Sequence, residues 1–183
     1  MQRNYVVDAV QLLEKDTSIF RYSWFATRYT TDETSPCTNL FKQKEDGVLT
    51  DVGDVYLNMS SFDSTYFHPV ESVIEAEHYI DRSGIYLEKT TDVSGRISMY
   101  DIQAGDWAEY LEDVPETTRP FIAFRYASAK QAAIAIYQGT DLLGTIILPS
   151  TGGVNTWTTW TSSLHLPSGK IRIRLKQLPP DSN

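Results

Sequence analysis

From residue 72 onward, turn signals punctuate the chain: Ser83-Gly84, Ser94-Gly95, Gly105-Asp106, Gly139, Gly152-Gly153 and Pro167-Ser168-Gly169. No helical period runs between these signals, which leaves short strands. Strands are expected over residues 73–79, 85–88, 97–102, 107–114, 119–127, 132–137, 142–148, 156–166 and 170–175. Many short strands separated by such turns fold as an all-β sandwich or jelly roll.

The first 60 residues follow another pattern. Tyr5, Val6, Ala9, Val10, Leu12 and Leu13 fall on one broad helical face, with Asp8, Gln11, Glu14 and Lys15 opposite, so residues 1–16 are expected to form a helix. Residues 18–25 are dense in aromatic and β-branched side chains and suit a short, largely buried strand. Residues 26–39 are polar and turn-rich. A turn at Asp46-Gly47 and an N-cap at Thr50 or Asp51 introduce a last helix to about Met59. Two helices and one strand cannot close a sheet or cover its faces. Residues 1–60 are therefore expected to be the tail of a larger α/β domain, residues 61–71 a linker, and residues 72–183 the β domain.

Charge and cysteine content exclude several functions. The net charge is -8, and residues 1–70 and 71–183 contribute -4 each. No basic patch is available for nucleic acid or an anionic membrane, and no apolar run is long enough to span a bilayer. Cys37 is the only cysteine, so it has no intrachain disulfide or thiolate metal partner. The sequon Asn58-Met59-Ser60 points weakly to the secretory route. Residues 1–20 carry no signal-peptide pattern, so the N-terminus of a secreted parent is expected upstream.

One stretch carries most of the chemistry: Tyr100-Asp101-Ile102-Gln103-Ala104-Gly105-Asp106-Trp107-Ala108-Glu109-Tyr110. Three aromatics on a strand and its entry loop suit a surface that stacks on the C–H faces of sugar rings. By themselves they also suit a half-buried strand.

Over nearly its full length the second part resembles the family 6 carbohydrate-binding modules. The matching pieces are Ile74-Glu75-Ala76-Glu77-His78-Tyr79, the stretch from Met99 to Tyr110, Leu143-Gly144-Thr145, Thr151-Gly152-Gly153, Thr156-Trp157-Thr158-Thr159 and Leu166-Pro167-Ser168-Gly169-Lys170. The resemblance implies a galactose-binding-like β-sandwich jelly roll that binds β-glucans, xylans or related polysaccharides without cutting them. It makes Tyr100 the sugar-stacking aromatic at the sandwich edge and Asn183 the candidate loop asparagine. The aromatic that usually follows the double glycine is replaced by Val154, and the chain stops where a last strand would follow. The resemblance also implies a second cleft on the concave face, lined by Trp107. It makes Glu75 and Glu77 candidate ligands of a structural Ca²⁺, an ion that needs several oxygens.

Residues 1–60 resemble the C-terminal end of the family 128 glycoside hydrolases, which are TIM-barrel β-1,3-glucanases. Ile19-Phe20-Arg21-Tyr22-Ser23-Trp24-Phe25, Asn39-Leu40 and the segment from Asp46 to Tyr56 carry this likeness. It implies that residues 19–25 are the last barrel strand, with Trp24 at its site-bearing end. The paired carboxylates that retaining glycosidases need would lie on earlier strands, so no hydrolysis is expected from these 183 residues. The expected function is non-catalytic binding of an extracellular β-glucan or xylan-like polysaccharide by a monomer that targets an attached glycosidase. The alternatives are a piece of an endo-β-1,3-glucanase and a remnant that binds nothing.

Overall fold

The structure is a computed structural model and is described over residues 2–24, 27–28, 38–116 and 120–179. It is mainly β, with two helices ahead of a β-sandwich. Helix α1 (Gln2–Lys15) buries Val6, Val7 and Val10. Helix α2 (Asp51–Asn58) starts at Thr50, whose hydroxyl accepts from the Gly53 N–H at 3.1 Å, and has Asp51 and Asp54 in its first turn. Both are favourable at the positive end of a helix.

The strands are β1 (His68–Pro69), β2 (Asp81–Ser83), β3 (Tyr86–Lys89), β4 (Ile97–Tyr100), β5 (Trp107–Val114), β6 (Phe121–Ser128), β7 (Ala132–Gln138), β8 (Asp141–Leu148), β9 (Gly153–His165) and β10 (Gly169–Gln177). The large sheet runs β1-β5-β10-β7-β8, and β2 pairs with β5 beyond the end of β1. The ribbons β3-β4 and β6-β9 make up the other layer. Between the layers lie Tyr79, Leu87, Tyr110, Ile136, Ile146, Ile171 and Ile173. Val7 and Val55, both fully buried, belong to this same core, so the helices pack on the sandwich. A smaller core joins Val6, Val10, Leu40 and Val52, with Trp24, Tyr56 and Phe62 against them.

Two expected strands do not form. Residues 19–24 form no strand, the Ile19 N–H donates to the Asp16 carbonyl at 3.0 Å, and Phe20 is 88% exposed. A barrel strand needs neighbours on both sides, and the described residues offer it none. Phe25 lies outside the described residues. Residues 73–79 form no strand and turn at 75–78, where the His78 N–H donates to the Glu75 carbonyl at 2.9 Å. The Tyr110 hydroxyl donates to the Ala76 carbonyl at 2.6 Å and pins that turn, while Tyr79 points into the core. Residues 60–70 run along the sandwich. The Ser60 hydroxyl donates to the Tyr79 carbonyl at 2.6 Å, and β1 pairs with β5.

Candidate functional site

Alternation along β5 separates its two faces. Ala108, Tyr110 and Val114 enter the core, while Trp107, Glu109 and Leu111 face outward. Register then builds rows of outward side chains across the large sheet. One row is Ser83, Trp107, Lys176, Ala135 and Thr145; the next is Asp81, Glu109, Arg174, Tyr137 and Leu142. Ala135 is small and buried, so the sheet is low between the larger groups.

The centre of this face is fixed by charge. Glu109 is 5% exposed. Its carboxylate accepts from Arg172 Nε at 2.6 Å and Arg174 Nε at 2.8 Å, and it also pairs with both terminal guanidinium nitrogens. A carboxylate held by two forks is rigid and fully occupied as an acceptor, so Glu109 is not placed to act as an acid or base. The Arg174 guanidinium lies 4.1 Å from the Trp107 ring centroid, a cation–π contact covering one indole face. The face presents two separated aromatics, Trp107 and Tyr137, with cationic donors between them. Such a surface can hold a hydroxyl-rich ring by stacking and hydrogen bonds.

The second aromatic singled out by the sequence, Tyr100, ends β4 opposite Tyr86 on β3, with ring centroids 6.3 Å apart. Its hydroxyl donates to Asn4 Oδ1 at 2.7 Å, and the Arg3 guanidinium lies 4.6 Å from its ring centroid. Val154, at the position where the resemblance leads one to look for a facing aromatic, is 69% exposed and offers only an aliphatic side chain.

Tyr100 and Trp107 therefore stand on different parts of the sandwich. Trp24 lies apart from both: it is half-buried beside Tyr56 at 5.6 Å, and its indole N–H donates to the Thr38 carbonyl at 2.9 Å. Asn183 lies outside the described residues. Glu75 is exposed and Glu77 is 4% exposed in the turn before β2. Burial first, with Glu75 beside it, pushes the Glu77 carboxyl up to about 7.

Sequence reasoning missed Arg174, Glu109 and Tyr137 around Trp107. The signal was present in Arg172-Ile173-Arg174-Leu175-Lys176, where alternation puts three cations on one face of β10. It also missed Arg3 and Asn4, for which no local signal exists.

Comparison with known proteins agrees with this architecture. Residues 75–178 match the family described as carbohydrate binding module (family 6). Residues 1–56 match the glycosyl hydrolase catalytic core. A β-1,3-glucan binding family 6 module from Bacillus halodurans superposes with a TM-score of 0.58 at 30% identity, covering 63% of this chain and 90% of that one. A module of Cellvibrio mixtus lichenase 5A, solved with cellotriose, gives 0.55 at 32% identity over 59% and 87%. The clotting factor G alpha subunit of Tachypleus tridentatus is 34% identical over 105 residues, which are 55% of this chain and 16% of that protein. The chain thus spans a small part of that relative's length. The family match takes in more than half of the residues, and the chain belongs to the family 6 carbohydrate binding modules, with a fragment of a glycosyl hydrolase catalytic core ahead of the module.

Proposed function

We propose that the module binds β-1,3-glucan on the outer face of its large sheet, with Trp107 as the stacking plate and Arg174 and Lys176 as hydrogen-bond donors. The observation that carries this reading is the cross-strand row that sets Trp107 beside the Glu109–Arg174 clamp. Preorganised donors beside a flat apolar plate favour a neutral, hydroxyl-rich ligand. The net charge of -8 does not favour a polyanion. The two glucan-linked modules named above, each at least 30% identical, support a glucan over other polysaccharides. Tyr100, at the sandwich edge, is the other candidate plate, with its hydroxyl and one ring face already engaged.

Residues 1–56 belong in this reading to a family 128 glycoside hydrolase, so the module holds that catalytic unit on extracellular polysaccharide. Affinity is expected in the range of roughly micromolar to millimolar, as suits an open surface with few plates. Calorimetric titration with laminarihexaose, cellohexaose and xylohexaose tests the choice of ligand. The tightest binding is expected for laminarihexaose, with a loss of about tenfold or more in Trp107→Ala. Preference for xylohexaose would move the ligand to xylan, and an unaffected Trp107→Ala would remove this face from the account.

We propose further that Glu75 and Glu77 hold a structural Ca²⁺. Burial and the nearby Glu75 raise the Glu77 carboxyl, and a cation there would favour its ionised form; no third His, Cys, Asp or Glu joins the pair among the described residues, so the remaining oxygens would come from backbone carbonyls or water. Ca²⁺ is expected to raise the melting temperature of the unmutated chain and to leave Glu77→Gln unmoved. Equal shifts in both would exclude the site.

A further inference from the structure

We propose that Arg3 and Asn4 decide which face of the module reads sugar, by occupying the edge plate Tyr100 themselves. The inference rests on Tyr100 being a sugar plate, as in the proposed function. A sugar needs two things from this tyrosine: a free ring face and a free hydroxyl. Both are taken. The Arg3 guanidinium covers the ring at 4.6 Å, and the Tyr100 hydroxyl donates to Asn4 Oδ1 at 2.7 Å.

The cover is anchored on both sides. Arg3 pairs with Glu88 of β3 at 3.7 Å. Its guanidinium also lies over the Tyr100 ring, while its buried Nε has no hydrogen-bond partner among the described residues. Behind it, α1 is locked to β2. Arg82 reaches Asp8 at 2.5 Å, and Gln11 Nε2 and Lys15 Nζ donate to Asp81 at 2.7 and 2.6 Å. Buried Val6, Val7 and Val10 hold the rest of the helix. The side chains that cover Tyr100 thus come from the hydrolase fragment, whereas the arginine on Trp107 comes from β10 of the sandwich itself.

The test is titration of laminarihexaose into the full chain in a Trp107→Ala background, which removes the other face. Adding Arg3→Ala and Asn4→Ala is expected to raise the affinity at least about tenfold, and further adding Tyr100→Ala is expected to cancel the gain. Arg3→Lys keeps the charge beside Glu88 and serves as a second variant. Losing only the flat cover, it is expected to give part of the gain. No gain in either variant with an unchanged melting curve, or a gain that survives Tyr100→Ala, would overturn the inference. Trp107→Ala alone reports on the large-sheet face, so a failure there is read separately.

Discussion

Tyr100 and Trp107, the two aromatics that the sequence offers as sugar plates, share one feature in the fold: each carries an arginine on its ring. Their surroundings make them unequal. Arg174 is held in place by Glu109 within the same sheet, so it stands as a fixed donor beside Trp107. Arg3 arrives from a helix and closes Tyr100 together with Asn4. Another outlier at this scale is Glu112, 9% exposed on β5 opposite Ile171 of β10 and His68 of β1. Burial pushes its carboxyl up to about 7 from an ordinary value near 4.5. The folded chain therefore holds a proton that the unfolded chain releases, and this contribution to stability is lost as the pH rises from about 4.5 through about 7. Glu112→Gln is expected to stabilise the chain at pH 8 by on the order of 2 kcal/mol and to change little at pH 4. Urea denaturation at the two pH values checks this, and an equal effect at both would contradict it.

Among the elements, the strands between turn signals were legible because a period of two and a glycine at a positive φ are local properties. Gly84, Gly95, Gly105, Gly139, Gly152 and Gly169 all adopt that φ, and β5 spans the expected residues 107–114. The start of α2 was legible for the same reason, since an N-cap needs only Thr50 and the residues after it. Residues 73–79 misled because alternation cannot show that Tyr110, far along the chain, pins a turn there. Residues 19–24 misled because a barrel strand depends on neighbours that the described residues do not contain. Gly53 shows how packing overrides propensity within an element. A methyl group there would sit 2.0 Å from the Leu40 carbonyl oxygen. Gly53→Ala gains helix propensity of about 1 kcal/mol but must push α2 away from that backbone. The expected net result is a lower melting temperature by several degrees. A higher one would show that the 38–50 segment yields freely.

At the scale of the whole molecule, the chain is a binding module with a piece of catalytic scaffold packed on it. Val7 and Val55 share the core of the sandwich, and Ser60 and Phe62 reach Tyr79. Composition and charge pointed to a neutral polymer, and motif order pointed to the module. Neither could show that α1 lies against the edge plate, because that contact joins residues 96 positions apart. With Tyr100 engaged by Arg3 and Asn4, sugar binding is expected on the large-sheet face. Retention of the chain on insoluble curdlan, compared between the unmutated protein, Tyr100→Ala and Trp107→Ala, tests this most directly. The unmutated chain and Tyr100→Ala are expected to be pulled down alike, and Trp107→Ala to stay in the supernatant. Loss in Tyr100→Ala with full retention of Trp107→Ala would contradict it.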